Sequence, residues 1–131
     1  MGTALSVLLV DDDEFSRDVL KEMLVAQGVT DVRMADSGLS ALQTLSTLAH
    51  QPDLMICDVF MPDMDGIEFM SALAARKYRG GVVLVSGVNI ETLSMARDLA
   101  SAAGIQLLGS FVKPLHREVL AEVLAGLGHS R

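Results

Sequence analysis

Five short apolar runs, each handing over to a helical pattern, constrain the fold of this chain more than any other feature. The runs are residues 5–10, 32–35, 54–57, 82–85 and 105–112. Turn residues bound them, among them Asp36-Ser37-Gly38, Pro52-Asp53 and Gly80-Gly81. Runs this short and apolar read as strands covered on both faces. Between them, residues 14–27, 39–49, 67–76, 90–103 and 115–127 carry apolar side chains at helical spacing. Strand and helix alternating through the whole chain, with short connections, call for parallel strands joined by right-handed crossovers.

The resulting architecture is α/β: a flavodoxin-like (βα)5 doubly wound sheet in the strand order 2-1-3-4-5. Its topological switch point lies between the first and third strands. In the first helix, Phe15, Val19 and Met23 form the inward stripe, with Leu20 and Leu24 beside it; Asp13 can cap it and Gly28 end it. In the second, Leu42, Leu45 and Ala49 face inward. In the last, Leu115, Val119, Val123 and Leu127 pack on the sheet. Leu120 and Leu124 widen that stripe, a hint of a homodimer or output-domain contact.

Residues 1–131 make one domain, with residues 128–131 as a frayed tail. A net charge of −7 and no basic cluster argue against direct nucleic-acid binding. No apolar run reaches membrane-spanning length, and residues 1–6 lack a secretory pattern. The single cysteine, Cys57, excludes an internal disulfide and reads as a small buried hydrophobe. The expected location is the cytoplasm. His50, His116 and His129 have no metal-ligand spacing and read as surface residues.

The chemistry gathers where the strands end. The first strand runs into Asp11-Asp12-Asp13, the third into Asp58, the fourth into Ser86-Gly87 and the fifth into Lys113-Pro114. Ligands of open α/β sheets bind outside the carboxyl ends of the strands, so these groups converge on one cleft. Two carboxylates about 4 Å apart repel by roughly 4 kcal/mol at an effective dielectric near 20. A hard divalent cation such as Mg²⁺ relieves that repulsion, with Lys113 neutralising charge from the other side. Such a cleft accepts a phosphoryl group, with Asp58 as nucleophile and Lys113 and Ser86 on the phosphoryl oxygens. Blander readings exist for each piece. Asp11 to Asp13 can cap a helix, Asp63-Met-Asp65-Gly66 reads as a turn and cap, and Ser86-Gly87 and Lys113-Pro114 taken alone are ordinary turn and surface signals. Helix capping leaves the coincidence with Asp58 unexplained.

Over nearly its whole length the chain resembles response-regulator receiver domains of two-component signalling. The resemblance is carried by Asp11-Asp12-Asp13 after an apolar strand, Asp58-Val-Phe-Met-Pro62-Asp-Met-Asp-Gly66, Leu-Val-Ser86-Gly87 and Val-Lys113-Pro114. It implies that Asp58 is the phospho-acceptor, that Asp12 binds Mg²⁺ directly and Asp11 mostly through water, and that Phe60 offers its backbone carbonyl. Ser86 is then the switch hydroxyl, Lys113 the phosphate-binding amine, and the Lys113–Pro114 peptide is cis. The implied phosphodonor is a phosphohistidine on a sensor histidine kinase or phosphotransfer protein. The protein acts as a switch on an output domain or effector, and catalyses only its own phosphorylation and dephosphorylation. Three departures stand out. Ser110 occupies the position, three residues before the lysine, where the family often has an aromatic, with Phe111 next to it. The segment 104–113 is long and resembles receivers ahead of cyclic-di-GMP phosphodiesterase domains. Phe60 and Val88 are apolar where polar groups often position the hydrolytic water, which implies slow autodephosphorylation.

Two other functions compete. A haloacid-dehalogenase-type phosphohydrolase would use Asp11 as nucleophile in Asp11-x-Asp13, but needs a further acidic ligand after Lys113, where only Glu118 and Glu122 follow. A pseudo-receiver would bind partners without being phosphorylated.

Overall fold

A computed structural model describes residues 5–87 and 90–128. Its elements alternate: β1 (Ser6–Val10), α1 (Glu14–Ala26), β2 (Asp31–Ala35), α2 (Gly38–Thr47), β3 (Leu54–Asp58), α3 (Gly66–Ala75), β4 (Gly81–Ser86), α4 (Ile90–Ala102), β5 (Gln106–Val112) and α5 (Arg117–Gly126). The strands form one parallel sheet in the order β2-β1-β3-β4-β5, which is the doubly wound, flavodoxin-like arrangement expected.

Strand periodicity divides the core in two. Leu8, Val10, Met55, Cys57, Val82 and Leu84 point to one face, where Ala41 and Leu42 of α2, Phe69 and Leu73 of α3 and Ala96 of α4 cover them. Val7, Leu9, Leu54, Ile56, Val83 and Val85 point to the other, under Leu20 and Leu24 of α1 and Leu120 and Leu124 of α5. β3 and β4 are buried throughout. β2 is an edge strand, with only Ala35 buried.

Side chains fix the helix starts. Asp13 accepts from the Ser16 N–H at 3.1 Å, Ser37 from the Ser40 N–H at 3.0 Å, and Asp65 from the Glu68 N–H at 2.9 Å, the last as a reciprocal capping box. Gly28, at φ +89°, takes the left-handed conformation that terminates α1. At the amino edge of the sheet, the buried Tyr78 hydroxyl is placed within 3.1 Å of both the Pro52 and Gly81 carbonyls, tying the entry of β3 to that of β4.

The helix faces differ from expectation at three places. On α1 the sheet takes Leu20 and Leu24, while Phe15 and Val19 are exposed. The two sets lie about 100° apart around the helix, and the crossover turns only one of them onto β1. On α5 the same choice places Leu120 and Leu124 in the core at 0 % and 1 % exposure, with Val119 and Val123 at the margin. Leu120 and Leu124 therefore leave nothing for a dimer or output contact. Ala49 is exposed because α2 stops at Thr47, two residues before it.

Candidate functional site

Register brings the strand ends together. Val10 pairs with Cys57, so Asp11 and Asp58 leave β1 and β3 side by side. Asp58 pairs with Val85 and Ser86 with Val112, which sets Ser86 and Lys113 one step further along the same edge. Backbone bonds lock this stagger: the Val59 N–H donates to the Val85 carbonyl at 3.0 Å, and the Lys113 N–H to the Ser86 carbonyl at 2.8 Å. The Lys113–Pro114 peptide is cis, as expected.

Lys113 Nζ lies 2.9 Å from Asp11 Oδ2 and 3.1 Å from Asp58 Oδ2, donating to both. The other oxygen of each carboxylate is held by the backbone. Asp11 Oδ1 accepts from the Asp13 N–H at 2.9 Å, and Asp58 Oδ1 from the Phe60 N–H at 3.0 Å. Asp11, Asp58 and Ser86 are buried, and Asp12 is exposed at the mouth. One carboxylate oxygen from each of Asp11, Asp12 and Asp58 lies within 4.8 Å of the other two.

The electrostatics follow from this packing. Burial alone would raise the Asp11 carboxyl, but the Asp13 N–H and the Lys113 ammonium outweigh it and hold Asp11 below the usual carboxylate range. Burial dominates at Asp58. The Phe60 N–H and Lys113 offset it only in part, the Asp11 charge adds to it, and the carboxyl stands above its usual range. For Lys113, burial favours the neutral amine, yet the bond to Asp11 and the charge of Asp58 more than reverse this. Burial, with the Asp58 charge, pushes the Cys57 thiol up, so it stays an inert core residue.

This donor set suits a small hard cation. It is all oxygen, carries net negative charge even with Lys113 present, and combines two buried carboxylates with one open to solvent. Asp11, Asp12 and Asp58 are the residues that would hold Mg²⁺.

The expected site residues are thus brought to one edge. Phe60 reaches it through its backbone, the residue as a whole standing 43 % exposed. Ser110 and Phe111 fall on opposite faces of β5. Phe111 packs on the α1–α5 side with its ring against Gly109, so it does not stand in for an aromatic at position 110. The extra length near β5 is absorbed as a bulge at Leu108, since Val82 pairs with Leu107 and Val83 with Gly109. His50 and His116 are on the surface; Val88 and His129 lie outside the described residues. Two contributors were missed in the sequence. Arg17 donates to the Asp11 carbonyl at 2.7 Å, and Asp63 bonds to the start of α2. No local pattern announces either, because their partners are set by the loops.

The dehalogenase arrangement has no support in this geometry. Asp13, its second acid, is spent as the α1 cap, and Glu118 faces solvent beside Arg117.

Fold and site together define a doubly wound α/β domain with an acid pocket at its carboxyl edge and a lysine bridging two of the carboxylates. The response regulator receiver domain family matches residues 7–125, and the chain belongs to that family. It is 35 % identical over 105 residues to protein-glutamate methylesterase/protein-glutamine glutaminase 5 of Myxococcus xanthus (strain DK1622), covering 79 % of this chain but 29 % of that protein. It is 29 % identical over 118 residues to chemotaxis protein CheY of Bacillus subtilis (strain 168), covering 90 % of this chain and 92 % of CheY. The crystal structure of a response regulator from Colwellia psychrerythraea superposes with a TM-score of 0.78 at 30 % identity, over 96 % of this chain and 98 % of that one. The protein is a receiver domain of the two-component response-regulator kind. No helix among the described residues is long and apolar enough to cross a membrane.

Proposed function

We propose that the protein is a phosphorylation-controlled signalling switch whose phospho-acceptor is Asp58. The observation that carries this is the Lys113 ammonium shared between Asp11 and Asp58, at 2.9 and 3.1 Å, on the carboxyl edge of a parallel sheet. In the reaction an Asp58 oxygen forms a bond to phosphorus as the P–N bond of a phosphohistidine breaks. The departing imidazole keeps the electron pair and takes up a proton. The Phe60 N–H holds the non-attacking oxygen and so fixes the direction of attack. Lys113 and the Ser86 hydroxyl receive the phosphoryl oxygens. Asp11, Asp12, Asp58 and the Phe60 carbonyl would hold Mg²⁺, which when bound neutralises the carboxylates and the charge developing on the phosphoryl oxygens.

The donor is a sensor histidine kinase or phosphotransfer protein of the cytoplasm. Residues 1–131 act as a single domain whose altered surface is read by an output domain or effector. The bulged β5 segment favours an output of the cyclic-di-GMP phosphodiesterase kind. The protein catalyses no reaction beyond its own phosphorylation and dephosphorylation. Intact mass spectrometry after incubation with a small phosphodonor, with and without Mg²⁺, tests this reading. One Mg²⁺-dependent phosphoryl adduct on the wild type, lost in Asp58→Asn, is the expected result. No adduct from either a small donor or a phosphohistidine protein would leave a pseudo-receiver and overturn the proposal.

A further inference from the structure

The loop from Val59 to Asp65 must hold Phe60 against Asp58, yet it has few anchors of its own. Val59 and Met61 are buried in the core, and the Gly66 N–H closes the loop onto the Val59 carbonyl at 2.8 Å. Gly66 sits so close to Val59 that a Cβ built there falls 3.0 Å from Val59 Cγ1. Between these points, Pro62 and Asp63 are exposed. A further anchor reaches from the exposed part of the loop to α2. Asp63 Oδ1 accepts from the Gly38 N–H at 3.2 Å and Asp63 Oδ2 from the Leu39 N–H at 2.9 Å. These are the first two amides of α2, which have no partners within the helix. The third, of Ser40, is taken by the Ser37 hydroxyl. The Met64 side chain also rests on Gly38, where a built Cβ would lie 2.9 Å from Met64 Sδ. The bonds to Leu39 and Gly38 hold the Asp63 carboxyl below its usual range, so the tether is ionised at neutral pH.

We infer that Asp63 is a positioning residue for the acid pocket: by clasping the start of α2 it fixes the Phe60 backbone, and with it the Mg²⁺ affinity of the site. This rests on the Mg²⁺ site proposed above. The two ends of the clasp meet the same pocket. The β2–α2 connection begins at Ala35, whose carbonyl accepts the Asp11 N–H at 3.1 Å, and the β3–α3 loop begins at Asp58. Asp63 therefore joins the loop behind Asp58 to the connection beside Asp11, without touching either carboxylate.

The test measures Mg²⁺ affinity on the unphosphorylated protein, alongside thermal stability, for wild type, Asp63→Ala, Asp63→Asn and Ser37→Ala. Removal of groups that orient metal ligands commonly weakens a site by about 10–100-fold, and a tether one bond further out is expected to cost about 3–10-fold. Asp63→Ala should show that loss, and Asp63→Asn, which keeps one acceptor oxygen, should recover part of it. Ser37→Ala uncaps the same helix end without releasing the loop; it should lower the melting temperature and leave the affinity unchanged. Wild-type affinity in Asp63→Ala, or an equal loss in Ser37→Ala, would overturn the inference while leaving the phosphorylation reading intact. A wild type that binds no Mg²⁺ would remove both.

Discussion

Asp58→Asn should make the metal-free protein more stable, while abolishing the proposed phosphorylation. Asp58 is 5 % exposed, and burying a carboxylate costs several kcal/mol. Repulsion from Asp11, within 4.8 Å, adds about 3.5 kcal/mol at an effective dielectric near 20. Against these stand attraction to Lys113 at 3.1 Å, about 5 kcal/mol on the same basis, and the Phe60 N–H. Burial and Asp11 prevail, which is why the Asp58 carboxyl stands above its usual range. Asparagine keeps the acceptor for Phe60 and removes the charge. The surplus of such opposing terms is on the order of 1–2 kcal/mol, or roughly 3–6 °C in Tm for a chain of this length. Thermal unfolding followed by circular dichroism in chelator measures it. The sign with pH is fixed. A group whose folded pKa is raised costs stability above that pKa, and the cost fades as pH falls through it toward the ordinary value of about 3.9. The advantage of Asp58→Asn should therefore be full at neutral pH and close on acidification. Mg²⁺ should also close it, by stabilising the wild type preferentially. A variant less stable than wild type in chelator at neutral pH would refute the reasoning.

Other substitutions separate the roles. Lys113→Met leaves Asp11 and Asp58 unpaired in a buried pocket; it should cost about 3–5 kcal/mol by denaturant unfolding, with much of the loss recovered in Mg²⁺. Leu124→Ala empties a position that is 1 % exposed and should cost about 2–5 kcal/mol without changing the sedimentation of the folded protein, since that side chain faces the sheet. The Phe60 ring offers no hydrogen bond to orient an attacking water, so the phosphorylated protein should lose its phosphoryl group over minutes or longer by mass spectrometry. A half-life of seconds in Mg²⁺ would contradict this, and Phe60→Asn should shorten the lifetime.

The site was more legible in the sequence than the faces of the helices. Asp11, Asp58, Ser86 and Lys113 each follow an apolar run directly, and in a parallel sheet the residue after a strand can emerge only at the carboxyl edge. Chain order and alternation therefore suffice to gather them. On α1 and α5 the apolar arc is wider than the sheet can cover, and sequence periodicity cannot choose between Val19 and Leu20, or between Val123 and Leu124. The choice comes from crossover geometry, which is tertiary. Asp63 and Arg17 were opaque for a related reason. Their partners are main-chain groups on other segments or at loop positions, and main chain carries no signature in a sequence.

The face taken by residue 110 bears on how a change at Asp58 leaves the pocket. Ser110 has no ring to turn inward, and Phe111 is committed to the opposite face, its ring against Gly109 and its neighbours in the α1–α5 core. What does run unbroken outward from the acids is main chain. The Val59 N–H is bonded to the end of β4 through Val85, and Ser86 is bonded in turn to β5 through the Lys113 N–H. Lys113 then returns to the acids through its side chain. Asp58, the end of β4 and the end of β5 thus form a closed loop of bonds. A lysine now divided between two carboxylates is the member with most to gain from a new dianion. Moving it toward a phosphoryl group pulls on the same backbone that Ser86 anchors. The charge imbalance that makes Asp58 costly to the resting fold is what the proposed phosphorylation would act upon.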